Sequence, residues 1–255
     1  MEPLSEQNPL FKKIRRASSH GGLTDDGCAI AEGLHLVEEA IAAGCEVKAI
    51  LLTQPDGRFP GAKLVSEKSF RSIAGTETPQ GVLALVKPHE SSMEAILRGQ
   101  ALAVVLDGIQ DPGNAGSILR AAEAFGATGA VFLKGSVNPY NPKCIRASAG
   151  SIFRLPVVVQ EDLSALAGIA LYAAMPRTEK SIDQADFAKP CAVVIGSEGR
   201  GVRASIAARA DGLRIPTSNV ESLNAAVAAG VLFYEARRQR DAAQKQGSSG
   251  TRAAQ

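Results

Sequence analysis

The sequence contains few of the side chains that bind transition metals or serve in catalytic triads. It has four cysteines and three histidines among 255 residues. The cysteines are scattered and form no CxxC pair, which argues against a zinc site or a disulfide framework. No histidine follows His89. The last two thirds of the chain therefore cannot supply a Ser-His-Asp triad or a histidine-ligated metal alone, and we expect no metal.

Long apolar runs are also missing. No stretch approaches the ~20 consecutive apolar residues that a membrane-spanning helix requires. The N-terminus has Glu2, Glu6 and the basic run 12–16 in place of the apolar core of a signal peptide. We therefore expect a cytoplasmic protein that does not bind a membrane.

Net charge gives little guidance about the partner, because a value of +2 is too small to indicate nucleic-acid binding. The basic residues are nevertheless clustered. Four of the five residues at positions 12–16 are basic. A second cluster lies near the C-terminus and comprises Arg237, Arg238, Arg240, Lys245 and Arg252. Such chain ends are usually solvated and disordered, but both clusters are also suited to phosphate contacts.

Residues 1–88 show the pattern of a small α/β domain. Short apolar or β-branched runs predict strands at Cys28–Ala31, Val47–Leu52 and Gly81–Val86. Between the first two, Gly33–Ala43 has apolar residues at helical spacing and is followed by a glycine, which predicts a helix. Residues 89–100 are predicted to be a linker, polar in its first half, with room for a short helix at its end.

Apolar strand patterns alternate with helical patterns over residues 101–240. The predicted strands are Ala103–Leu106, Ala130–Leu133, Leu155–Val159, Ile169–Ala174, Ala192–Ile195 and Leu213–Ile215. The predicted helices are Ser117–Phe125, Pro142–Ala149, Val202–Ala208 and Ser222–Arg240. This alternation predicts an α/β fold whose mostly parallel sheet is covered by helices on both faces. Residues 241–255, which contain Gly, Ser, Gln and Ala, are predicted to be a disordered tail.

Three motifs each begin where a predicted strand ends, and parallel sheets bind ligands at that edge. The first, Leu106–Arg120, reads LDGIQDPGNAGSILR. Asn114 is predicted to cap the helix that follows. Ile118 and Ala122 lie on its apolar stripe, so Arg120 faces the opposite side. There a guanidinium can bind a phosphate through two nitrogens, although a single solvated arginine is the alternative.

The second motif, Val194–Gly201, reads VIGSEGRG. Its glycines do not follow the G-x-G-x-x-G register of a dinucleotide site. Glu198 would also repel a phosphate, whereas it suits a ligand with positive charge, such as a sulfonium or an amino group. This favours S-adenosylmethionine over NAD or ATP. A glycine-rich turn with a helix-capping glutamate is the alternative.

The third motif, Ile215–Asn224, reads IPTSNVESLN. Ser222 and Asn224 are predicted near a helix N-terminus with free amides, beside the apolar side chains of Ile215 and Leu223. Apolar walls with a few aimed donors and acceptors suit an adenosine. The following helix is apolar almost all round, which predicts burial in the core and also against a second subunit.

In this order and spacing, the three motifs resemble those of the SpoU (TrmH-type) branch of the SPOUT RNA methyltransferases. Residues 146–151 (RASAGS) resemble a further segment of this family, and residues 28–88 resemble its N-terminal substrate-binding domain. The resemblance implies a C-terminal trefoil knot, which periodicity could not reveal because knots are nearly absent among folds. It also implies a homodimer that binds S-adenosylmethionine. Thr217 departs from the family, which often has Met after Ile-Pro.

The resemblance also implies roles for individual residues. The catalytic positions of the family are matched by Asn114, Arg120, Glu198, Ser222 and Asn224. Its cofactor-binding positions are matched by Gly196, Ile215, Ser222, Leu223 and Asn224. The implied reaction is methyl transfer to a ribose 2′-hydroxyl in RNA, with Arg120 as the base. Because a guanidinium with a pKa above ~12 is rarely neutral, we expect Arg120 to bind the adjacent phosphate instead.

Ribosomal RNA is the expected substrate, because a separate N-terminal domain accompanies the ribosomal RNA enzymes of this family. A transfer RNA 2′-O-methyltransferase is one alternative, and a non-catalytic RNA-binding protein is another. The retention of all the matched polar positions argues against the second. A Rossmann-type oxidoreductase is disfavoured by the missing dinucleotide fingerprint.

Overall fold

The computed structural model describes residues 3–252, with side chains up to residue 246. The N-terminal domain is built on a four-stranded sheet in the order β1-β4-β2-β3. Its strands are β1 (Ala29–Glu32), β2 (Glu46–Leu52), β3 (Lys63–Leu64) and β4 (Val82–Lys87). Strand β4 pairs antiparallel with β1 and β2, and β3 pairs parallel with β2. Its helices are α1 (Pro9–His20), α2 (Leu34–Ala42) and α3 (Glu67–Arg71).

Helix α1 contains the basic run 12–16, which the sequence had suggested to be a disordered end. The Asn8 side chain caps the first turn, and Gly21 ends the helix with a φ of 67°. Phe11, Ile14 and Ala17 face the core of the domain and are buried. The basic residues therefore lie on the outer face of an ordered helix.

The C-terminal domain contains a six-stranded sheet in the order β10-β8-β9-β5-β6-β7, and every neighbouring pair is parallel. Its strands are β5 (Leu102–Asp107), β6 (Gly129–Leu133), β7 (Val157–Gln160), β8 (Ala170–Ala174), β9 (Cys191–Gly196) and β10 (Asp211–Leu213). Its helices are α5 (Pro112–Ala124), α6 (Pro142–Ser148), α7 (Ser151–Arg154), α8 (Ala204–Ala207) and α9 (Ala225–Arg252). The linker carries α4 (Met93–Ile96), so the short helix there is confirmed.

The central strands are buried on both faces. Val104 on β5 belongs to a core that includes Ile118 on α5 and Phe233 on α9. The next residue, Val105, belongs to a second core on the other face, with Ile206 on α8. This alternation follows from the two-residue repeat of a strand. The predicted α/β fold, with a parallel sheet covered on both faces, is confirmed.

Several element boundaries differ from the prediction. Helix α5 begins at Pro112, and the cap is Asp111, whose Oδ1 accepts a hydrogen bond from the backbone N–H of Asn114 at 2.6 Å. Asn114 therefore lies inside the first turn and does not cap it. Strand β10 ends at Leu213, so Ile215 lies in the following loop.

Helix α9 also differs from the prediction at both ends. It begins at Ala225, so Ser222 lies in the preceding loop. It continues to Arg252, so residues 241–252 are helical and not a disordered tail. Residues 253–255 of that prediction lie outside the described residues. Arg240 donates hydrogen bonds to the carbonyl oxygens of Gln100 and Ala101, at 2.6 and 2.8 Å, so its guanidinium is engaged within the fold.

The two domains share one apolar core. Ala29, Leu36 and Val37 of the N-terminal domain belong to the same buried cluster as Ile118 and Cys144 of the C-terminal domain. The N-terminal domain is therefore packed directly on the C-terminal one. Within residues 3–252, no helix is both long and apolar enough to cross a membrane.

Candidate active site

The three motifs follow strands whose carboxyl ends lie at one edge of the six-stranded sheet. Strands β5 and β9 are neighbours, with Asp107 directly opposite Gly196. Strand β8 separates β9 from β10. Helix α5 begins after β5, a loop of residues 197–203 follows β9, and a loop of residues 214–224 follows β10. The topology therefore places all three motifs at the edge where parallel sheets bind ligands.

A chain of side-chain hydrogen bonds joins one residue from each motif. Asn224 donates from Nδ2 to Oδ1 of Asn114 at 3.0 Å. Asn114 in turn donates from Nδ2 to Oε1 of Glu198 at 2.5 Å. These residues are separated by 110 and 84 positions in the sequence. The fold therefore brings together three of the five predicted catalytic residues.

The direction of this chain is set by the cap of α9. Oδ1 of Asn224 accepts from the backbone N–H of Ala226 at 2.9 Å, so its amide nitrogen faces Asn114. Oδ1 of Asn114 is then the acceptor, and its own amide nitrogen faces Glu198. An ionised carboxylate accepts hydrogen bonds and donates none, so Glu198 is suited to be the last acceptor in this chain of hydrogen bonds. The arrangement holds Glu198 at the carboxyl edge of the sheet.

The other two predicted catalytic residues stand apart from this chain. Arg120 is exposed on α5, on the side opposite Ile118, as the helical spacing predicted. Ser222 is exposed in the loop before α9. In the part of the chain that the structure describes, neither side chain forms a hydrogen bond or an ion pair. Both are therefore accessible to a ligand.

Gly196 allows the loop after β9 to turn back on itself. A Cβ atom at this position would lie 2.2 Å from the carbonyl carbon of Gly201 and 2.3 Å from the nitrogen of Val202. Such distances are far below van der Waals contact, so only glycine fits. The backbone N–H of Gly201 donates to the carbonyl oxygen of Ser197 at 2.8 Å and closes the loop. Glu198 is exposed at its tip.

The sequence interpretation missed an ion pair between a buried carboxylate and a partly exposed arginine, which holds this loop. The side chain of Asp107, at the end of β5, is fully buried. Its Oδ2 accepts from the backbone N–H of Arg203 at 2.8 Å, and its Oδ1 accepts from Nε of Arg203 at 2.5 Å. A carboxylate that ends an otherwise apolar strand was the only signal in the sequence, because a buried charge needs a partner.

The loop after β10 supplies apolar surface and a turn. Ile215 and Leu223 are half-buried, whereas residues 216–222 between them are exposed. Thr217 donates from Oγ1 to the carbonyl oxygen of Val220 at 2.8 Å, and Asn219 has a φ of 65°. Apolar walls beside exposed polar backbone, with the Glu198 carboxylate nearby in the fold, form a donor and acceptor set that fits S-adenosylmethionine.

Two other features lie away from this edge. A cavity of about 350 Å³ is lined by residues 166–171, Arg209 and Asp211, at the amino ends of β8 and β10. The four cysteines are all free and buried, and burial raises the pKa of the Cys144 thiol to about 12. Within the described residues, no group of three or more His, Cys, Asp or Glu side chains is placed to bind a metal.

Comparison with known proteins identifies both domains. The model of the SpoU rRNA Methylase family matches residues 101–234, and the MRM3-like substrate binding domain matches residues 8–84. The 23S rRNA (guanosine(2553)-2′-O)-methyltransferase RlmP of Bacillus subtilis is 30% identical, over 91% of this chain and 98% of that protein. The 23S rRNA (guanosine-2′-O-)-methyltransferase RlmB of Xanthomonas campestris pv. campestris is 33% identical, over 80% of this chain and 88% of that protein.

A solved structure agrees with these relatives. The SpoU methyltransferase AviRb from Streptomyces viridochromogenes, in complex with the cofactor AdoMet, superposes with a TM-score of 0.80 at 27% identity. The match covers 92% of this chain and 98% of AviRb. The family resemblance of the three motifs is thus confirmed, and the chain belongs to the SpoU rRNA methylase family.

Proposed function

We propose that this protein transfers the methyl group of S-adenosylmethionine to a ribose 2′-hydroxyl of ribosomal RNA. The observation that carries the proposal is the hydrogen-bond chain Asn224–Asn114–Glu198, which unites the three motifs at the ligand-binding edge of the sheet. A protein that had lost the activity would have no need to keep these polar side chains in contact. The relatives RlmP and RlmB are 23S rRNA 2′-O-methyltransferases, which supports ribosomal RNA over transfer RNA.

The protein uses S-adenosylmethionine, the cofactor of its family, as the methyl donor. Gly196, Ile215, Leu223 and the backbone around them are the residues that would hold it. Glu198 contributes a carboxylate that favours a positively charged ligand and disfavours a phosphate. We assign Asn114 the role of orienting this carboxylate, and Asn224 the role of orienting Asn114.

We assign Arg120 and Ser222 to the RNA. Arg120 is exposed on α5, the helix that begins at the carboxyl end of β5, and has no partner among the described residues. Its guanidinium can bind a phosphate through two nitrogens, which would place the neighbouring ribose hydroxyl beside the methyl donor. Such placement accelerates transfer because the hydroxyl is a poor nucleophile unless it is aimed closely. The proton then leaves to the phosphate or to solvent.

The N-terminal domain extends the RNA surface. On α1, Lys13 pairs with Asp26 at 2.9 Å and Arg16 pairs with Asp25 at 3.0 Å. Lys12 and Arg15 are exposed on the same helix and have no ion-pair partner within residues 3–246. These two cations are the ones that remain for phosphates, whose neutralisation supplies most of the non-specific affinity for nucleic acid.

We further propose that the protein is a homodimer with α9 at its seam. Val227 and Tyr234 are large apolar side chains that are 52% and 59% exposed. They lie seven residues apart, with half-buried Val231 between them, so all three share one face of the helix. The Tyr234 ring packs edge-on against Phe125, with centroids 5.7 Å apart. A second copy of this apolar face would cover it.

Mapping of 2′-O-methyl sites tests the reaction and the substrate together. Ribosomal and transfer RNA from cells with and without the gene would be compared nucleotide by nucleotide. We expect one ribosomal site to be lost in the deletion strain and restored by the purified enzyme with S-adenosylmethionine. Restoration of a transfer RNA site, with ribosomal RNA unchanged, would overturn the substrate.

A further inference from the structure

A buried carboxylate of the N-terminal domain receives its positive partner from the C-terminal domain. Glu32 lies at the end of β1, with its side chain 4% exposed. Its Oε1 accepts from Oγ1 of Thr76 at 2.5 Å, and its Oε2 accepts from the backbone N–H of Gly75 at 2.8 Å. The neighbours from its own domain are thus neutral donors. The positive charge comes from Arg146 on α6, whose Nη1 lies 3.3 Å from Oε2.

Arg146 also binds the backbone beside Glu32. Its Nη2 donates to the carbonyl oxygen of Gly75 at 3.0 Å, so one guanidinium contacts both the carboxylate and the 75–76 turn. A lysine could reach the carboxylate but could not form this fork. The arginine side chain is 23% exposed, so solvent screens the contact only partly. Arg146 lies within RASAGS, a segment whose role the catalytic assignment leaves open.

Helix α6 connects this contact directly to the helix that carries Arg120. A Cβ atom at Gly116 of α5 would lie 2.3 Å from the carbonyl oxygen of Cys144 and 2.6 Å from Cβ of Ala147. The two helices therefore approach so closely that the backbone of α5 at Gly116 packs directly against the backbone and the Ala147 methyl group of α6. Arg120 follows Gly116 by one helical turn. Helix α6 is thus packed firmly on α5, and Arg146 attaches the N-terminal domain to this packed pair.

A second arginine makes a similar contact at another point. Arg154 on α7 forms ion pairs with Glu39 on α2 of the N-terminal domain and with Glu123 on α5, the latter at 2.6 Å. Arg146 contacts β1 and the 75–76 turn, whereas Arg154 contacts α2. The two arginines therefore attach the N-terminal domain at two separate points, in addition to the apolar core that the domains share.

We propose that Arg146 is a positioning residue that fixes the substrate-binding domain against α5, so that both domains contact the RNA as one rigid surface. The inference rests on the proposed function. Two sites on one rigid body bind a common ligand more tightly than the same sites on a mobile pair, because the second contact is already aligned when the first forms. The role of Arg146 is therefore in RNA affinity, and it does not touch the reacting atoms.

Steady-state kinetics of Arg146→Met test this role, with Arg209→Met as the matched control. Arg209 is exposed at the amino end of the sheet, away from the contact between the two domains. For Arg146→Met we expect the KM for RNA to rise by ~10- to 100-fold, with kcat at saturating RNA and the affinity for S-adenosylmethionine near wild type. Arg146→Lys, which keeps the charge beside Glu32, is expected to recover part of the KM.

Other results would contradict either the role of Arg146 or the proposed substrate. An unchanged KM for RNA in a folded Arg146→Met protein would overturn the inference. Losses of cofactor affinity and kcat as large as the change in KM would also overturn it, because they would show that Arg146 supports the catalytic site itself. Wild-type enzyme that methylates transfer RNA and not ribosomal RNA would overturn the proposed substrate only, and the same KM comparison would then be made on transfer RNA.

Discussion

The guanidinium of Arg120 stands on the outer face of α5, and truncation should affect the reaction without affecting the fold. We expect Arg120→Ala to keep wild-type thermal stability and cofactor affinity, because the side chain is exposed. Loss of a charge-assisted phosphate contact costs about 1.5–3 kcal/mol, and misplacement of the hydroxyl costs more. Single-turnover methyl transfer should therefore fall by at least ~10- to 100-fold. A near-wild-type rate would refute the assignment, and Arg209→Ala serves as the control.

Asp107 acts on the same edge through the loop that carries Glu198. In Asp107→Asn the side chain keeps one acceptor, so one of its two bonds to Arg203 is lost and the arginine loses its counter-ion. We expect the free energy of unfolding to fall by about 1.5–3 kcal/mol and the affinity for S-adenosylmethionine to fall with it. Denaturant unfolding and calorimetry measure the two quantities.

Asp111→Asn is the matched control for Asp107→Asn. It makes the same chemical change four residues later, at the cap of α5. Asparagine caps helices about as well as aspartate, so stability and cofactor affinity should stay close to wild type. Equal effects of the two substitutions would show that the Asp107–Arg203 pair does not hold the loop.

At the scale of elements, the contact between α5 and α6 depends on Gly116. A methyl group there would meet the carbonyl oxygen of Cys144 at 2.3 Å. We expect Gly116→Ala to lower the free energy of unfolding by about 1–3 kcal/mol, as overpacking does, even though alanine favours a helix. Gly230 on α9 is the control, since an added Cβ there would lie within 4 Å of no atom outside the adjacent backbone of its own helix. Gly230→Ala should be neutral or stabilising by up to ~1 kcal/mol, and equal losses would contradict the close contact.

The elements that the sequence predicts well are those whose pattern is local. The strands of the parallel sheet are apolar runs, and the structure shifts most of their ends by one or two residues. Helix α1 could also have been predicted, because Asn8-Pro9 is a start signal and Phe11, Ile14 and Ala17 are spaced for one face. The four nearby basic residues obscured this pattern, although they occupy only the outer face.

The contacts that the sequence does not predict are those between distant residues. Asp107 and Arg203 are 96 positions apart, and Glu32 and Arg146 are 114 positions apart. Neither pair follows a spacing rule, because the fold alone makes them neighbours. The chain Asn224–Asn114–Glu198 was accessible only because each member lies in a motif that resembles a known family. The trefoil knot, the homodimer and the catalytic roles stay predictions.

At the scale of the whole molecule, the apolar face of α9 predicts the oligomeric state. We expect the wild-type protein to be a dimer at micromolar concentration and Tyr234→Glu to be a folded monomer, because a charge in an apolar seam is costly to bury. Light scattering measures the mass. Val159→Glu is the control, since Val159 is 63% exposed on the edge strand β7 and outside the proposed seam. A wild-type monomer with full activity would contradict the proposal.

We propose that the RNA footprint of the whole molecule extends to α1, and the salt dependence of RNA binding tests this. Each phosphate neutralised by the protein contributes about −0.7 to −0.9 to the slope of log K against log salt concentration. Lys12→Ala/Arg15→Ala removes two exposed cations, so we expect this slope to become less steep by about 1–2. Lys13→Ala/Arg16→Ala removes the same charge from the same helix, but these residues already pair with Asp26 and Asp25. The slope should therefore change less for Lys13→Ala/Arg16→Ala than for Lys12→Ala/Arg15→Ala. Equal changes of slope in the two variants would mean that net charge, and not the position on α1, determines RNA affinity.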